Sequence, residues 1–348
     1  MMNNPLIRKS VRTLEAYTPG EQPRKPGLVK LNTNENPYPP SPWVAEALTA
    51  VPVETLRLYP DPASTGLRQA IADLHEVGLD QVFAGNGSDE ILALCTRAFV
   101  EDDGTIGYFR PSYSLYPVLA AIRAVPGVAC ELTESFEWPA HDPEPTSLFF
   151  LTNPNAPTSM RFPKGKVSAF CRRFPGVVLV DEAYVDFARE SCLDLAKTMP
   201  NVLVMRTMSK SYSLAGIRCG YVVGSEPLIS ALFKIKDSYN LNRLTQVAAT
   251  AALKDQATMR ENAERIKATR ERLSAELERL GFAVCPSEAN FLWVKPAGWS
   301  ASALFEALKA EGILIRYFPG ERTGDHLRIT VGTDEEVDRL LEVLGGLI

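Results

Sequence analysis

The sequence predicts an α/β protein, with a large domain on a mostly parallel central sheet and a small α+β domain behind it. Three observations point there. Apolar runs of four or five residues, bounded by turn signals, alternate with helical segments from about Trp43 onward. Runs that short suit strands buried on both faces of a parallel sheet. Polar clusters follow several of these runs, at the strand ends where open α/β sheets hold ligands. After Gly281 the pattern changes to strand, helix, two strands and helix.

Residues 1–42 read as an irregular arm rich in Pro and Asn, with one short strand at Leu28–Leu31. A large domain is expected over 43–240, with helices at 43–50, 64–76, 88–101 and 112–124. Its strands are placed at Val82–Ala84, Thr105–Tyr108, Leu148–Thr152, Val177–Val180, Val202–Arg206 and Tyr221–Val223. The stretch 226–280 reads as mainly helical, because Ile266, Leu273, Leu277 and Leu280 recur near the helical period. Its part 241–280 is expected to form an interdomain helix, whose Glu261–Arg265 pair has the favourable polarity. The small domain, 281–348, is expected to run strand Ala289–Val294, helix Ala301–Glu311, strands Ile313–Tyr317 and His326–Val331, and helix Asp334–Leu344.

The 348 residues are 45% hydrophobic and 23% charged, which excludes a disordered chain. A net charge of -5 without any basic block makes nucleic acid and anionic membranes poor partners. The six cysteines form no C-x-x-C pair and the three histidines are scattered, so no metal site and no disulfide framework is expected. A reducing cytoplasm fits that usage, and the first residues, MMNNPLIRKSVRTLEAYTP, show no apolar core of a secretory signal. No apolar run of transmembrane length is present.

Four clusters behind strands carry candidate chemistry. Gly85–Glu90 (GNGSDE) follows a strand and opens a helix, so the N–H groups around Gly87, Ser88 and Asp89 suit an anion; Ser88 suits a plain helix cap equally well. Asp181 and Glu182 end an apolar strand, where a carboxylate is costly unless it meets a cation, a metal or N–H donors. No G-x-x-x-x-G-K-[ST] accompanies them, which removes the P-loop reading. Lys210 sits among Thr207, Ser209, Ser211 and Ser213, with Arg218 eight residues on; desolvation and nearby cations would depress its pKa and free the amine for a Schiff base. Asn153–Thr158 is a rigid Asn/Pro loop, by itself a turn. Taken in order, these are the parts that a pyridoxal phosphate (PLP) site needs.

On LNTNENPYPPSP (31–42), LYPDP (58–62), GNGSDE (85–90), PSYSLY (111–116), VDEAYVDF (180–187), TMSKSYSLAGIRCGY (207–221), ANFLW (289–293), ILIRYF (313–318) and LRITVGT (327–333), the chain resembles the fold-type-I PLP aminotransferases. Within them it most resembles the histidinol-phosphate aminotransferases, from about Tyr17 to Thr333. The resemblance implies that Lys210 carries the cofactor, Asp181 pairs with its pyridine nitrogen and Tyr184 donates to its ring hydroxyl. It implies that Ser88, Thr207, Ser209 and Arg218 hold the phosphate with the backbone at Gly87–Asp89, and that Tyr113 stacks on the ring. Tyr59 would reach the phosphate of the other subunit, which implies a homodimer, and Tyr17, Asn290, Arg316 and Arg328 would line the substrate pocket. The usual Asn-Asn-Pro-Thr-Gly loop departs here to Asn155-Ala156-Pro157-Thr158-Ser159, which leaves the ring hydroxyl to Tyr184, with Asn155 a doubtful substitute for the lost amide. The implied reaction exchanges an amino group between L-histidinol phosphate and 2-oxoglutarate, giving imidazole-acetol phosphate and L-glutamate in histidine biosynthesis. An aromatic (phenylalanine) aminotransferase is the near alternative, threonine-phosphate decarboxylase a further one. A non-catalytic regulator is disfavoured, since the arm leaves no room for a helix-turn-helix.

Overall fold

The structure is a computed structural model that describes residues 6–23 and 27–348; the parts of the expected arm at 1–5 and 24–26 lie outside the described residues. The strands, in chain order, are β1 (Val29–Lys30), β2 (Val82–Gly85), β3 (Ile106–Arg110), β4 (Gly127–Glu131), β5 (Leu148–Thr152), β6 (Val177–Asp181) and β7 (Val202–Thr207). They continue with β8 (Gly220–Gly224), β9 (Ala283–Val284), β10 (Phe291–Lys295), β11 (Ile313–Leu314), β12 (Arg316–Tyr317) and β13 (Leu327–Thr330).

Seven strands form the central sheet in the order β2-β8-β7-β6-β5-β3-β4. All neighbours are parallel except β8, which runs against both β2 and β7. The apolar runs are strands for the reason their sequence suggests: β5 and β8 are buried at every residue and β2 likewise. Leu148, Phe150, Leu179 and Leu203 face one core, while Phe149, Leu151, Val178 and Val180 face the other, with helices over both faces.

The second sheet, β12-β13-β10-β9, is antiparallel. It packs on the helices Ala301–Ala310 and Asp334–Leu347 through Leu292, Leu304, Ile329 and Leu340. The arm strand β1 pairs in parallel with β11, and Leu31 enters this core.

Several predicted elements differ from those observed. The strand expected at Ile313–Tyr317 is two: Ile313–Leu314 bonds to β1, and Arg316–Tyr317 bonds to β13, with Ile315 passing between the sheets. The helix expected at 112–124 begins at Leu115, which frees Ser112 and Tyr113 for a loop behind β3. Helical 226–280 is three helices, Glu226–Ile235, Arg243–Lys254 and Gln256–Arg279; Asn242 and Asp255 cap the second and third by accepting from Thr245 and Thr258 N–H. Strand β4 and the helices Lys164–Arg173 and Leu193–Thr198 were not expected. β4 is an edge strand in which only Cys130 is buried, and the Lys164–Arg173 helix is basic over much of its length, so neither shows a clear apolar period.

Candidate active site

Parallel pairing puts the ends of β5, β6 and β7 at one edge, and the register is tight: Thr152 pairs with Asp181, and Asp181 with Met205. Because β8 runs the other way, it starts at that same edge. Gly220 pairs with Thr207 on one side and Gly85 on the other, so Arg218 lies beside the loops that follow β2 and β7. A side chain at Gly220 would bring its Cβ 2.7 Å from the Ser88 nitrogen, so only glycine lets the strand pass this close to the helix Ser88–Phe99. Gly87 precedes that helix at φ +78, a left-handed conformation, with the Arg218 guanidinium directly against it.

A cavity of about 910 Å³ opens at this edge. Tyr17, Ser88, Asp89, Tyr113, Asp181, Tyr184, Thr207, Ser209, Lys210, Arg218, Arg316 and Arg328 all line it. Gly87, Asn155, Asn290 and Tyr59 do not. Gly87 backs the wall through Arg218. Asn155 turns its amide to the Pro111 carbonyl at 3.0 Å, while Ala156 faces the cavity, so the Asn155 amide is not offered in place of the missing one. Asn290 is fully buried and donates to Asn34 O at 3.0 Å. Tyr59 is 77% exposed and stacks on Tyr239, ring centroids 4.3 Å apart.

Asp181 is buried, and its oxygens are held by neutral donors: the Tyr116 hydroxyl at 2.9 Å and the Ala183 N–H at 3.1 Å. Burial pushes its carboxyl up to about 6, although those hydrogen bonds pull the other way. Glu182, the neighbouring carboxylate, turns away from the cavity to Arg206 at 3.0 Å and also accepts from Ser191. Burial alone would lower the Arg206 pKa, but Tyr221, Glu182 and Asp186 outweigh it and hold that guanidinium firmly cationic. Lys210 donates from Nζ to Thr33 O at 3.2 Å; burial, with Arg328 nearby, brings its amine down to about 8. Tyr184 accepts from Asn34 Nδ2 at 3.0 Å and lies under the Lys210 ammonium. Thr207 Oγ1 donates to Ser209 Oγ at 3.0 Å, and Arg218 approaches Asp89 at 3.7 Å. Arg328 donates to Asn32 O at 2.9 Å, while its buried Nε has no hydrogen-bond partner among the described residues.

These groups fit pyridoxal phosphate. A buried carboxylate held only by neutral donors suits a pyridinium. A depressed amine suits a Schiff-base lysine. The hydroxyls of Ser88, Thr207 and Ser209, with Arg218 at a helix N-terminus, suit a phosphate.

Residues 26–344 of the sequence match the family model for aminotransferases of class I and II. This chain is an aminotransferase of class I and II. It is 46% identical to a histidinol-phosphate aminotransferase of Synechocystis sp. over 98% of either chain, and 46% identical to one of Chromohalobacter salexigens over 96% of this chain and 97% of that one. Among solved structures, the histidinol-phosphate aminotransferase of Sinorhizobium meliloti in complex with pyridoxal-5'-phosphate superimposes with a TM-score of 0.87 at 25% identity, covering 99% of both chains. The α/β, fold-type-I architecture expected from the sequence is the architecture of this aminotransferase.

Two residues of this aminotransferase's site escaped the reading of the sequence. Tyr116 fixes Asp181, and Asn34 fixes Tyr184. Each lies inside a quoted segment, PSYSLY or LNTNENPYPPSP, but nothing local tells which of its polar residues turns inward.

Adjacent carboxylates should respond oppositely to neutralisation in the cofactor-free protein. The Asp181 pKa is higher folded than unfolded, so its contribution to stability falls as pH rises from 3.8 towards about 6, and the cost is complete above that. Asp181→Asn removes a cost on the order of 1–3 kcal/mol at pH 7 and almost none at pH 3.5. Glu182→Gln instead leaves buried Arg206 uncompensated and should lose about 3–5 kcal/mol. Urea unfolding at the two pH values measures both; a destabilised Asp181→Asn at pH 7 would contradict the assignment.

Proposed function

We propose that this aminotransferase is a cytoplasmic homodimer that carries the amino group between L-histidinol phosphate and 2-oxoglutarate in histidine biosynthesis. The observation that carries the substrate is Arg328, a half-buried guanidinium that lines the cavity and, among the described residues, spends only Nη2 on a protein acceptor, the Asn32 carbonyl, which leaves a cationic fork for an anion. Arginine can grip a phosphate monoester and a carboxylate in turn with the same planar fork. Histidinol-phosphate aminotransferases 46% identical over nearly the whole chain support the same substrate.

When bound, pyridoxal phosphate supplies the aldehyde that takes up the amino group and a ring that accepts electron density. Asp181 stays ionised to face the ring nitrogen. Tyr184, held by Asn34, donates to the ring hydroxyl oxygen. Ser88, Thr207, Ser209, Arg218 and the N–H groups of Ser88 and Asp89 would hold the phosphate, and Tyr113 would pack on the ring; the Gly87 N–H is already given to Gly85 O. Lys210 would anchor the cofactor through Nζ, and the same Nζ, at the cavity wall, is placed to take and return a proton. A lysine brought down to about 8 can spend part of its time as the free base near neutral pH. Tyr17 and Arg316 border the pocket on the substrate side, and Asn290 supports it from behind through its bond to Asn34 O.

Tyr59 supports the dimer, since it is exposed beside Leu58, Leu56 and Val53, an apolar patch of the kind that a second copy covers. We propose that Tyr59 of each protomer serves the other's site. The cytoplasmic reading draws on six free cysteines. We also propose the division into arm 1–42, large domain 43–240, interdomain segment 241–280 with its two helices Arg243–Lys254 and Gln256–Arg279, and small domain 281–348; the separate core around Leu273, Leu304 and Leu340 supports it.

A half-reaction screen tests the substrate. The loaded enzyme is mixed with histidinol phosphate, phenylalanine and threonine phosphate, and the spectral change to the pyridoxamine form is followed. Histidinol phosphate should react fastest by tenfold or more. Phenylalanine reacting as well would transfer the assignment to an aromatic aminotransferase, and release of carbon dioxide from threonine phosphate would make the chain a decarboxylase. Arg328→Lys should raise KM for histidinol phosphate and for glutamate together, a loss of about 1.5–3 kcal/mol, with histidinol little changed.

Mixing subunits tests the shared site. Tyr59→Phe and Lys210→Ala should each impair the protein alone, the latter abolishing turnover while cofactor still binds non-covalently. Heterodimers of the two should recover part of the activity, because one of their two sites keeps both residues. No recovery in heterodimers shown to form would place Tyr59 outside the shared site.

A further inference from the structure

Arg316 and Arg328 are register partners across the antiparallel pair β12–β13, so two guanidinium side chains leave the same face of one sheet side by side. Like charges directly opposite repel, and the structure separates them in two ways. The Phe318 ring stands 5.2 Å from both Cζ atoms, giving each cation an aromatic face. The two forks also point to different backbone carbonyls. Arg328 donates to Asn32 O, whereas Arg316 spends both terminal nitrogens on the arm: Nη2 to Thr18 O at 2.8 Å and Nη1 to Pro19 O at 3.2 Å.

These two carbonyls follow directly on Tyr17, whose ring meets Tyr113 edge-on at 5.8 Å and lines the cavity. The other ties of this segment fall further along the chain, at Glu21. Asn32 Nδ2 reaches Glu21 O at 2.9 Å, and Lys309 makes a half-exposed ion pair with Glu21 at 2.6 Å, worth little by itself. At Gly20 the arm lies so close that a Cβ there would stand 2.5 Å from the Thr33 methyl. Successive carbonyls are a good match for a planar fork and a poor one for a point charge, since an ammonium on a flexible stem cannot hold both in a fixed geometry. To grip a substrate anion itself, the Arg316 fork would have to leave both carbonyls and free the segment that carries Tyr17.

We propose that Arg316 is a positioning residue: it straps arm residues 17–21 over the cavity and acts on the substrate through Tyr17, while Arg328 alone grips the anion. The kinetic part of the inference rests on the histidinol-phosphate reading; the strap itself does not. Arg316 is thereby a determinant of arm closure rather than a second anion ligand, and its side chain is indispensable as an arginine although it bears the same charge as lysine.

Hydrogen–deuterium exchange on the holoenzyme without substrate reads the strap directly. Arg316→Lys should speed exchange over residues 14–22 by about tenfold or more, as expected for loss of charge-assisted bonds, and leave 177–181 in β6 unchanged. Arg328→Lys should leave 14–22 at the wild-type rate. Kinetics then ask how Arg316 acts. In the Tyr17→Ala background, Arg316→Lys should cost less than about twofold further in kcat/KM for histidinol phosphate, whereas in the wild-type background it costs tenfold or more. Wild-type exchange over 14–22 in Arg316→Lys overturns the strap, and equal fold-losses in both backgrounds make Arg316 a direct substrate ligand. Arg316→Gln, which keeps donors without charge, is the second variant if the lysine form fails to fold, and it is held to the same two outcomes. Failure of wild type to convert histidinol phosphate would overturn the substrate reading and leave the exchange result standing.

Discussion

A carboxylate at the tip of a strand buried on both faces is costly unless a cation, a metal or hydrogen-bond donors meet it, and Asp181 is placed under that constraint. Its two neutral partners fix where it points without paying for its charge. Tyr116 reaches it from the helix Leu115–Arg123, and the Ala183 N–H closes a turn back onto it. The chain then separates the adjacent acid: Glu182 turns to the opposite side, into a closed network with Arg206 and Ser191. One carboxylate is thus complete within the fold, and the other is complete only with a cationic ligand.

The rest of the cavity follows from the same sheet edge. Parallel strands bring Thr152, Asp181 and Thr207 to one line, and the single reversed strand, β8, returns Arg218 to it. That return needs Gly220 to slip past Ser88, and it sets a guanidinium beside the N-terminus of the helix Ser88–Phe99. A helix end, three hydroxyls and an arginine then converge within reach of Lys210, whose own amine is lowered by the same burial that raises Asp181. The two shifts have opposite chemical uses: a free amine can attack a carbonyl, and a carboxylate short of a partner can bind a pyridinium.

The far wall is cationic and is built by the second sheet and the arm together. Strand β1 joins the arm to β11, which continues through Ile315 into β12 and brings Arg316 opposite Arg328. The arm is therefore tied at β1, at Asn32 and at the Arg316 fork, with Tyr17 between these ties and the cavity. Asn34 extends the same device inward, taking a left-handed backbone turn that lets its side chain hold Tyr184 and its carbonyl accept from Asn290.

The sequence by itself determined the α/β class, the strands that carry most of the central sheet and the chemistry-bearing loops behind them. Each of these leaves a local mark: an apolar run too short for a helix, a glycine at a turn, a carboxylate or lysine where the run ends. Tertiary structure decided what local signals do not encode. The edge strand β4 has no apolar run to betray it, because one side of it meets solvent. The strand read at Ile313–Tyr317 had to be two, since its halves bond to different partners. Tyr116 over Asp181, Asn34 over Tyr184 and the Arg316 fork over Thr18 join residues 65, 150 and 298 positions apart. Pairings at such distances depend on strand register and on which face each side chain takes, and those are settled only when the whole sheet has closed.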